Sequence, residues 1–345
     1  MRPVLPPVLR RLWRDRETLQ LGRDPATAVV LAGLDDGTRA ALALLDGTRD
    51  AGQLVRAAAA AGCPPERLAH LLDLLTDAGV LVDAAQGWPP AAPREATGAE
   101  RDRLAAEVGA LQLVRPGHAT DAAARRSASR VLVLGGGRVG TGVAALLAGA
   151  GVGAVDVEDL RPARPHDTAP GGLALEDVGR PRGAAARDRV RALAPSVDVG
   201  SGPAHLAVLC PSDDTPLDAL VVQLLAGTPH LVAEVRDALG VVGPLVLPGS
   251  TACLRCLDLT RTDRDPDWPA LAAQLAQPVR TGPAACTVLS AAVAAQAAGQ
   301  VLALLDGGAS PAALDGTLEL ASHDWRWRRR SWAPHPDCGC VRVAG

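Results

Sequence analysis

The feature that most restricts the fold is a run of four apolar residues, Val131-Leu-Val-Leu134, that empties into Gly135-Gly-Gly137-Arg-Val-Gly140 and an apolar stretch to Gly149. A short buried strand leaving through G-x-G-x-x-G into a helix commits the chain to a parallel crossover unit. Gly135 allows the tight turn, Gly137 lets a phosphate approach the backbone, and Gly140 lets the helix pack on the strand. Asp156 follows Gly140 by 16 residues, at the end of a second apolar run, 154–157. An acid there is placed to bind ribose hydroxyls. Further runs at 206–209 and 231–235, with helical stretches between, predict a parallel α/β sheet of Rossmann type. Residues 316–320 and 326–330 read as antiparallel strands added to it. Trp and Arg alternate at the start of 325–330, which predicts a strand with Trp inward and Arg outward, with a surface for an acidic partner as the alternative. No internal repeat is present.

The stretch 87–93, Gly-Trp-Pro-Pro-Ala-Ala-Pro, is linker chemistry. Before it, 18–22 and 28–31 read as short strands, and 36–45, 50–61 and 65–78 as three helices. Asp50 suits an N-cap, Pro64-Pro65 a helix start, and Gly79 a helix stop before a last strand at 80–82. This order describes a winged helix-turn-helix over residues 1–85. Residues 86–127 form a linker and a helix near 100–110, and 128–345 form the Rossmann-type domain.

The net charge of -3, from 35 basic and 38 acidic residues, argues against a nucleic-acid coat. Residues 1–90 hold ten Arg against eleven Asp or Glu. The third helix, which would enter a DNA groove, carries Glu66, Asp73 and Asp77 against Arg67, so phosphates would be repelled. An extended peptide needs instead an unpaired strand edge and an apolar cleft. Leu68, Leu71, Leu72 and Leu75 are candidates for its apolar face, and they also suit the unit's own core. The opening Met-Arg-Pro-Val-Leu-Pro-Pro has prolines where a signal core would be apolar, so a cytoplasmic protein is expected. The uncharged stretch 284–305 is rich in Ala and carries Thr, Ser and Gln, which suits a core helix rather than a membrane span.

In a cytoplasmic setting, clustered cysteines are metal ligands before they are disulfides. Cys253-Leu-Arg-Cys256 and Cys338-Gly-Cys340 are two short knuckles whose four thiolates suit a closed structural zinc site. His335 is a substitute for one of them. Cys63, Cys210 and Cys286 read as buried small apolar residues, with a reactive thiol at Cys286 the alternative.

Together, the glycine loop, Asp156 and the paired cysteine knuckles resemble the ThiF/MoeB-like, ubiquitin-activating-type superfamily from about Arg130 to Cys340. Its members activate a C-terminal carboxylate with ATP, usually as homodimers. The resemblance makes Asp156 the ribose acid and Asp213 the magnesium- and ATP-associated acid. The Asn-Leu-x-Arg-Gln stretch is replaced by Arg164-Pro-His-Asp-Thr168, and the family lysine by Arg182. The chain holds no Lys and no Asn anywhere. A guanidinium does not stand where an ammonium stood, so ATP binding and adenylation are put in doubt. These losses, with Gly179-Arg-Pro-Arg182 and His335-Pro-Asp-Cys-Gly-Cys340, resemble the TOMM or "ocin" ThiF-like branch, whose front end is similar to the peptide chaperone PqqD. That resemblance implies a non-catalytic scaffold that binds a precursor leader peptide and delivers it to a YcaO-type cyclodehydratase for azoline formation. The alternative it leaves is an active peptide-adenylating enzyme, as in microcin-type members.

Overall fold

The computed structural model describes residues 1–86, 96–224, 227–278 and 286–340. The linker reading at 87–93 lies outside them. The chain divides into two compact units, Met1–Ala124 and Arg125–Gly345.

The first unit runs β1 (Pro3–Val4), β2 (Arg11–Trp13), β3 (Leu19–Leu21), β4 (Val29–Leu31), α1 (Asp36–Ala43), α2 (Ala51–Ala60), α3 (Pro65–Asp77), β5 (Val82–Asp83) and α4 (Gly98–Val114). Strands β2, β3 and β4 form an antiparallel sheet, and β1 pairs with β5. Local signals set the helix starts. The Asp50 side chain accepts from Gln53 N while Gln53 answers the Asp50 amide, a capping box that stabilises by about 1 kcal/mol. Pro65 opens α3, and Gly79 stops it in the left-handed region at φ +67°. Val80 is core rather than strand, and the last strand begins at Val82. Strands β1 and β2 were not expected: β1 lies among prolines and β2 in the arginine-rich stretch 10–16, so neither shows an apolar run. Leu68, Leu71 and Leu75 are 1%, 3% and 0% exposed in the unit's own core, so only half-buried Leu72 of that set is open to a ligand. This corrects the leucine face as a peptide surface: α3 spends that stripe on packing against α1 and α2.

After α5 (Ala119–Ala128), the second unit continues with β6 (Arg130–Leu134), α6 (Arg138–Gly149), β7 (Ala154–Glu158), α7 (Arg182–Leu193), β8 (Leu206–Leu209), α8 (Leu217–Val221), β9 (His230–Arg236), β10 (Leu239–Val246), α9 (Leu254–Arg264), α10 (Trp268–Leu275), α11 (Thr287–Leu305), β11 (Gly316–Ala321) and β12 (Trp327–Ser331). One sheet takes all seven strands in the order β12-β11-β10-β9-β8-β6-β7. Strands β7, β6, β8 and β9 are parallel, and β9 to β12 form an antiparallel meander. The chain leaves β6 to one side for β7 and returns to the other for β8. That reversal opens a crevice at the carboxyl ends of β6 and β8, where ligands of such sheets bind.

Helix α11 is long and apolar enough to cross a membrane, with a mean hydropathy of 1.8. Its Leu289, Val293, Ala297 and Val301 are instead buried in the sheet core, and Gln300 Oε1 accepts from Ala313 N at 2.9 Å. The expected inward tryptophans are corrected. Trp325 lies in a turn at φ +55°, and Trp327 is 38% exposed on β12, an edge strand exposed throughout. The inward ring is Trp332, 4% exposed.

Candidate functional site

The glycine turn joins β6 to α6. Gly135 holds φ +100°, where a Cβ would lie 2.2 Å from the Cys210 carbonyl oxygen. A Cβ on Gly140 would lie 1.8 Å from the Gly135 oxygen. Gly137 is different: a Cβ there would meet only Asp167 Oδ1, at 3.7 Å, and the residue caps α6 facing open space.

The nucleotide-type candidates do not share one cavity. Gly137, Gly140 and Asp213 line a cavity of about 760 Å³ in the crevice. Gly135 and Asp156 line a second, of about 1220 Å³. Asp156 is 4% exposed, and its Oδ1 accepts from Arg187 Nε at 2.6 Å. The carboxylate expected for ribose hydroxyls is thus already paired within the chain.

Arg182 ties the two walls together. It is 1% exposed at the start of α7. Its Nε lies 2.8 Å from Asp159 Oδ2, Nη1 3.3 Å from Asp167 Oδ1, and Nη2 3.1 Å from Asp214 Oδ1. Asp159 lines the larger cavity and Asp167 the smaller. Burial opposes the guanidinium charge, but the three carboxylates outweigh it and hold the Arg182 pKa above its ordinary value. Asp159 Oδ2 also accepts from Gly136 N at 2.9 Å, so the glycine turn is fastened to the same cluster. Arg164 Nη1 stands 3.9 Å from Asp214 Oδ2. Next to the cluster, burial and the Asp214 charge raise the Asp213 pKa, and His166 partly offsets them.

The four cysteines come from distant segments to one point. Cys253 caps α9, Cys256 lies in its first turn, and Cys338 and Cys340 flank Gly339 at φ +72°. All four Sγ atoms lie within 4.8 Å of one another. The separations are 3.4 Å for Cys253–Cys338, 3.3 Å for Cys256–Cys340 and 3.8 Å for Cys253–Cys256. A tetrahedral zinc with Zn–S near ~2.3 Å sets sulfurs about 3.8 Å apart, so the thiols fit that ion. Burial pushes the Cys256 thiol up, but backbone amides and neighbouring thiols outweigh it and bring it down to about 7. His335 is not part of the set: its Nε2 lies 2.9 Å from Asp263 Oδ2 and its Nδ1 accepts from Asp337 N. Cys63 and Cys210 are buried as expected, whereas Cys286 is exposed.

In the first unit, β2 and β4 are the two edges of their sheet. Leu12, Trp13 and Val30 stand 36%, 47% and 44% exposed on them, and Leu74 of α3 is 45% exposed. Leu12 and Trp13 are not marked in the sequence because β2 is three residues long and shows no alternation, and spacing alone does not say that Val30 on β4 and Leu74 on α3 face outward. Arg187, Asp159 and Asp214 are hidden for another reason: their partners lie 23 to 32 residues away in sequence. The available hint was an Arg-rich α7 lying in sequence between two pairs of close acids, Asp156 with Asp159 before it and Asp213 with Asp214 after it.

Residues 112–215 match the ThiF family model. A comparison with curated proteins finds no match. Among solved structures, the chain is similar in fold to E. coli MccB with AMPCPP and MccA, at 16% identity and TM-score 0.70 over 99% of each chain. It is similarly close to E. coli MccB with ATP, at 16% identity and TM-score 0.69, again over 99% of each. PaaA follows at 18% identity and TM-score 0.67, covering 94% of this chain and 98% of that one.

Proposed function

We propose that this chain, which carries a ThiF-family segment over residues 112–215, binds the leader of a ribosomally made precursor peptide without adenylating it. It would present that peptide to a YcaO-type cyclodehydratase, as the ocin ThiF-like resemblance implies. The observation that carries the reading is the Arg182 cluster. A nucleotide in a Rossmann crevice runs from the ribose acid across the glycine turn to the helix N-terminus. Here Asp156 and Gly137 line separate cavities, and Arg182 joins their walls through Asp159, Asp167 and Asp214. Among the described residues of the crevice, the buried cation Arg182 is neutralised within the chain and is not free to stabilise a phosphoryl transition state.

The first unit supports the peptide half of the reading. As a winged-helix, PqqD-like unit, it would take the leader as an added strand on the β2 or β4 edge, beside exposed Leu12, Trp13 and Val30. The four-cysteine knuckle would hold a structural zinc that pins α9 to the segment after β12.

A second reading, an active peptide adenylase, is favoured by the likeness over 99% of each chain to MccB, whose structures hold AMPCPP, ATP and MccA. Two measurements decide between them. Calorimetry with the precursor encoded beside this chain should give saturable binding. Peptide-dependent ATP–pyrophosphate exchange should stay at background. Exchange above background establishes the second reading, and absence of peptide binding removes both.

A further inference from the structure

The 760 Å³ cavity has a wall that the nucleotide-type residues do not explain. Trp332 is buried against the cysteine knuckle on one side. Its ring also stands within cation–π distance of the guanidinium groups of Arg261, Arg264 and Arg330, with Cζ 5.5, 5.8 and 5.8 Å from the centroid. Arg261 also lies over Trp268 at 4.8 Å. Arg236 lines the same wall. A guanidinium held over an aromatic ring keeps its N–H groups available for a carboxylate.

Carboxylates answer these arginines only in part. Glu234 lies 3.3 Å from Arg236, Asp258 3.4 Å from Arg261, and Glu319 3.1 Å from Arg330. Among the described residues, Arg264 has no carboxylate within ion-pair distance. Burial and the neighbouring Arg236 lower the Arg261 pKa despite Asp258, a sign of crowded cations. The far end of the cavity has the opposite sign, with Asp213 and Asp237 beside His166.

We infer that this arginine–tryptophan wall is a binding site for the carboxylate side chains of an acidic peptide segment. The claim rests on the peptide-binding reading above and adds a second contact, in the second unit. Two observations favour a peptide over a polyphosphate. Asp213 and Asp237 would repel a highly charged anion that filled the cavity. Arg330 lies on β12, the free edge of the seven-stranded sheet, where an extended backbone can add as a strand while its side chains reach the wall. Edge protection against self-pairing accounts for Arg330 on β12 alone, since Arg261 and Arg264 lie on α9 and Arg236 on β9, inside the sheet.

The test uses the full chain and fluorescein-labelled hexaglutamate, followed by anisotropy at low salt, with hexaglutamine as the uncharged control. Hexaglutamate should bind saturably and hexaglutamine should not. Arg264→Gln should weaken binding about tenfold, the loss of one charge-assisted contact, whereas Arg56→Gln on α2 should not change it. Arg264 is exposed, and an unchanged melting temperature would show that the variant folds. Equal binding of both peptides, or no loss in Arg264→Gln, overturns the inference. Displacement of hexaglutamate by tripolyphosphate at a far lower concentration than by unlabelled hexaglutamate also overturns it, in favour of a phosphate ligand. Precursor binding that survives in Arg264→Gln would leave the peptide-binding function standing and remove this site alone.

Discussion

Replacing Arg182 by Gln is the most informative single change. The side chain meets Asp159, Asp167 and Asp214 at 2.8, 3.3 and 3.1 Å, and their side-chain exposures are 3%, 8% and 17%. Arg182 faces three anions, so its removal leaves Asp159 and Asp167 without their buried counter-charge and Asp214 with only the more distant Arg164. Breaking a buried pair from one side costs about 3–5 kcal/mol, or roughly 6–20 °C of melting temperature for a unit of this size. The pH dependence follows from sign. Burial pushes Asp214 up, but Ser212 and Arg182 outweigh it and hold its pKa below the usual carboxylate range. A depressed folded pKa contributes stability above the unfolded value of about 3.9 and loses it as pH falls through the folded one. In Arg182→Gln the carboxylates lose their counter-charge and their pKa values rise, so protonation relieves the repulsion. The deficit should therefore shrink between about pH 7.5 and about pH 5. Thermal unfolding followed by circular dichroism at both pH values reads this directly. A deficit below about 1 kcal/mol, or one equal at both pH values, would refute the cluster as the joint between the cavities. Arg182→Lys should recover only part of the loss, since one ammonium cannot span three carboxylates.

Further outcomes are expected elsewhere. Cys256→Ser should lower bound zinc, read by metal analysis, and destabilise the second unit, with chelator reproducing the effect in the unmodified chain. Asp213→Asn should raise the melting temperature at neutral pH, because burial makes its ionised form unfavourable in the folded chain. Since the folded pKa is raised, that gain should fade as pH drops below the folded value, and a gain independent of pH would contradict the assignment. Leu71→Ala should cost the first unit about 2–5 kcal/mol in denaturant unfolding, whereas Leu12→Ala should leave stability nearly unchanged and weaken precursor binding. Gly140→Ala should fail to give soluble protein, since a Cβ 1.8 Å from the Gly135 oxygen cannot be accommodated by a side-chain shift.

The strands read best from sequence were those with a single environment. β6, β7, β8 and β9 are buried on both faces, so their apolar runs mark them within a residue or so. β10 escaped notice because Gly240, Gly243 and Pro244 break its run, while its burial is almost complete. The glycine turn and the cysteine quartet were readable because each rests on residue types with few other uses. The Arg182 cluster was not. Arginine and aspartate are the common surface residues of this chain, and only folding brings these four of them together from separate loops. Leu68, Leu71 and Leu75 show the converse limit: helical spacing marks an apolar face without saying whether the chain's own core already covers it.

The cysteine quartet also fixes an order of events during synthesis. Cys253 and Cys338 touch across 85 residues of chain. On a ribosome, α9 emerges with two thiols and no complete metal site. The four thiols meet only after β11 and β12 have been made, β11 laid along β10 and β12 along β11. Any metal bound before then would sit on two ligands and exchange freely. With the proposed zinc in the quartet, tight metal retention would report that the last strands of the sheet have docked, and a chain stalled before Cys338 would not retain metal tightly even where its parallel half had already folded.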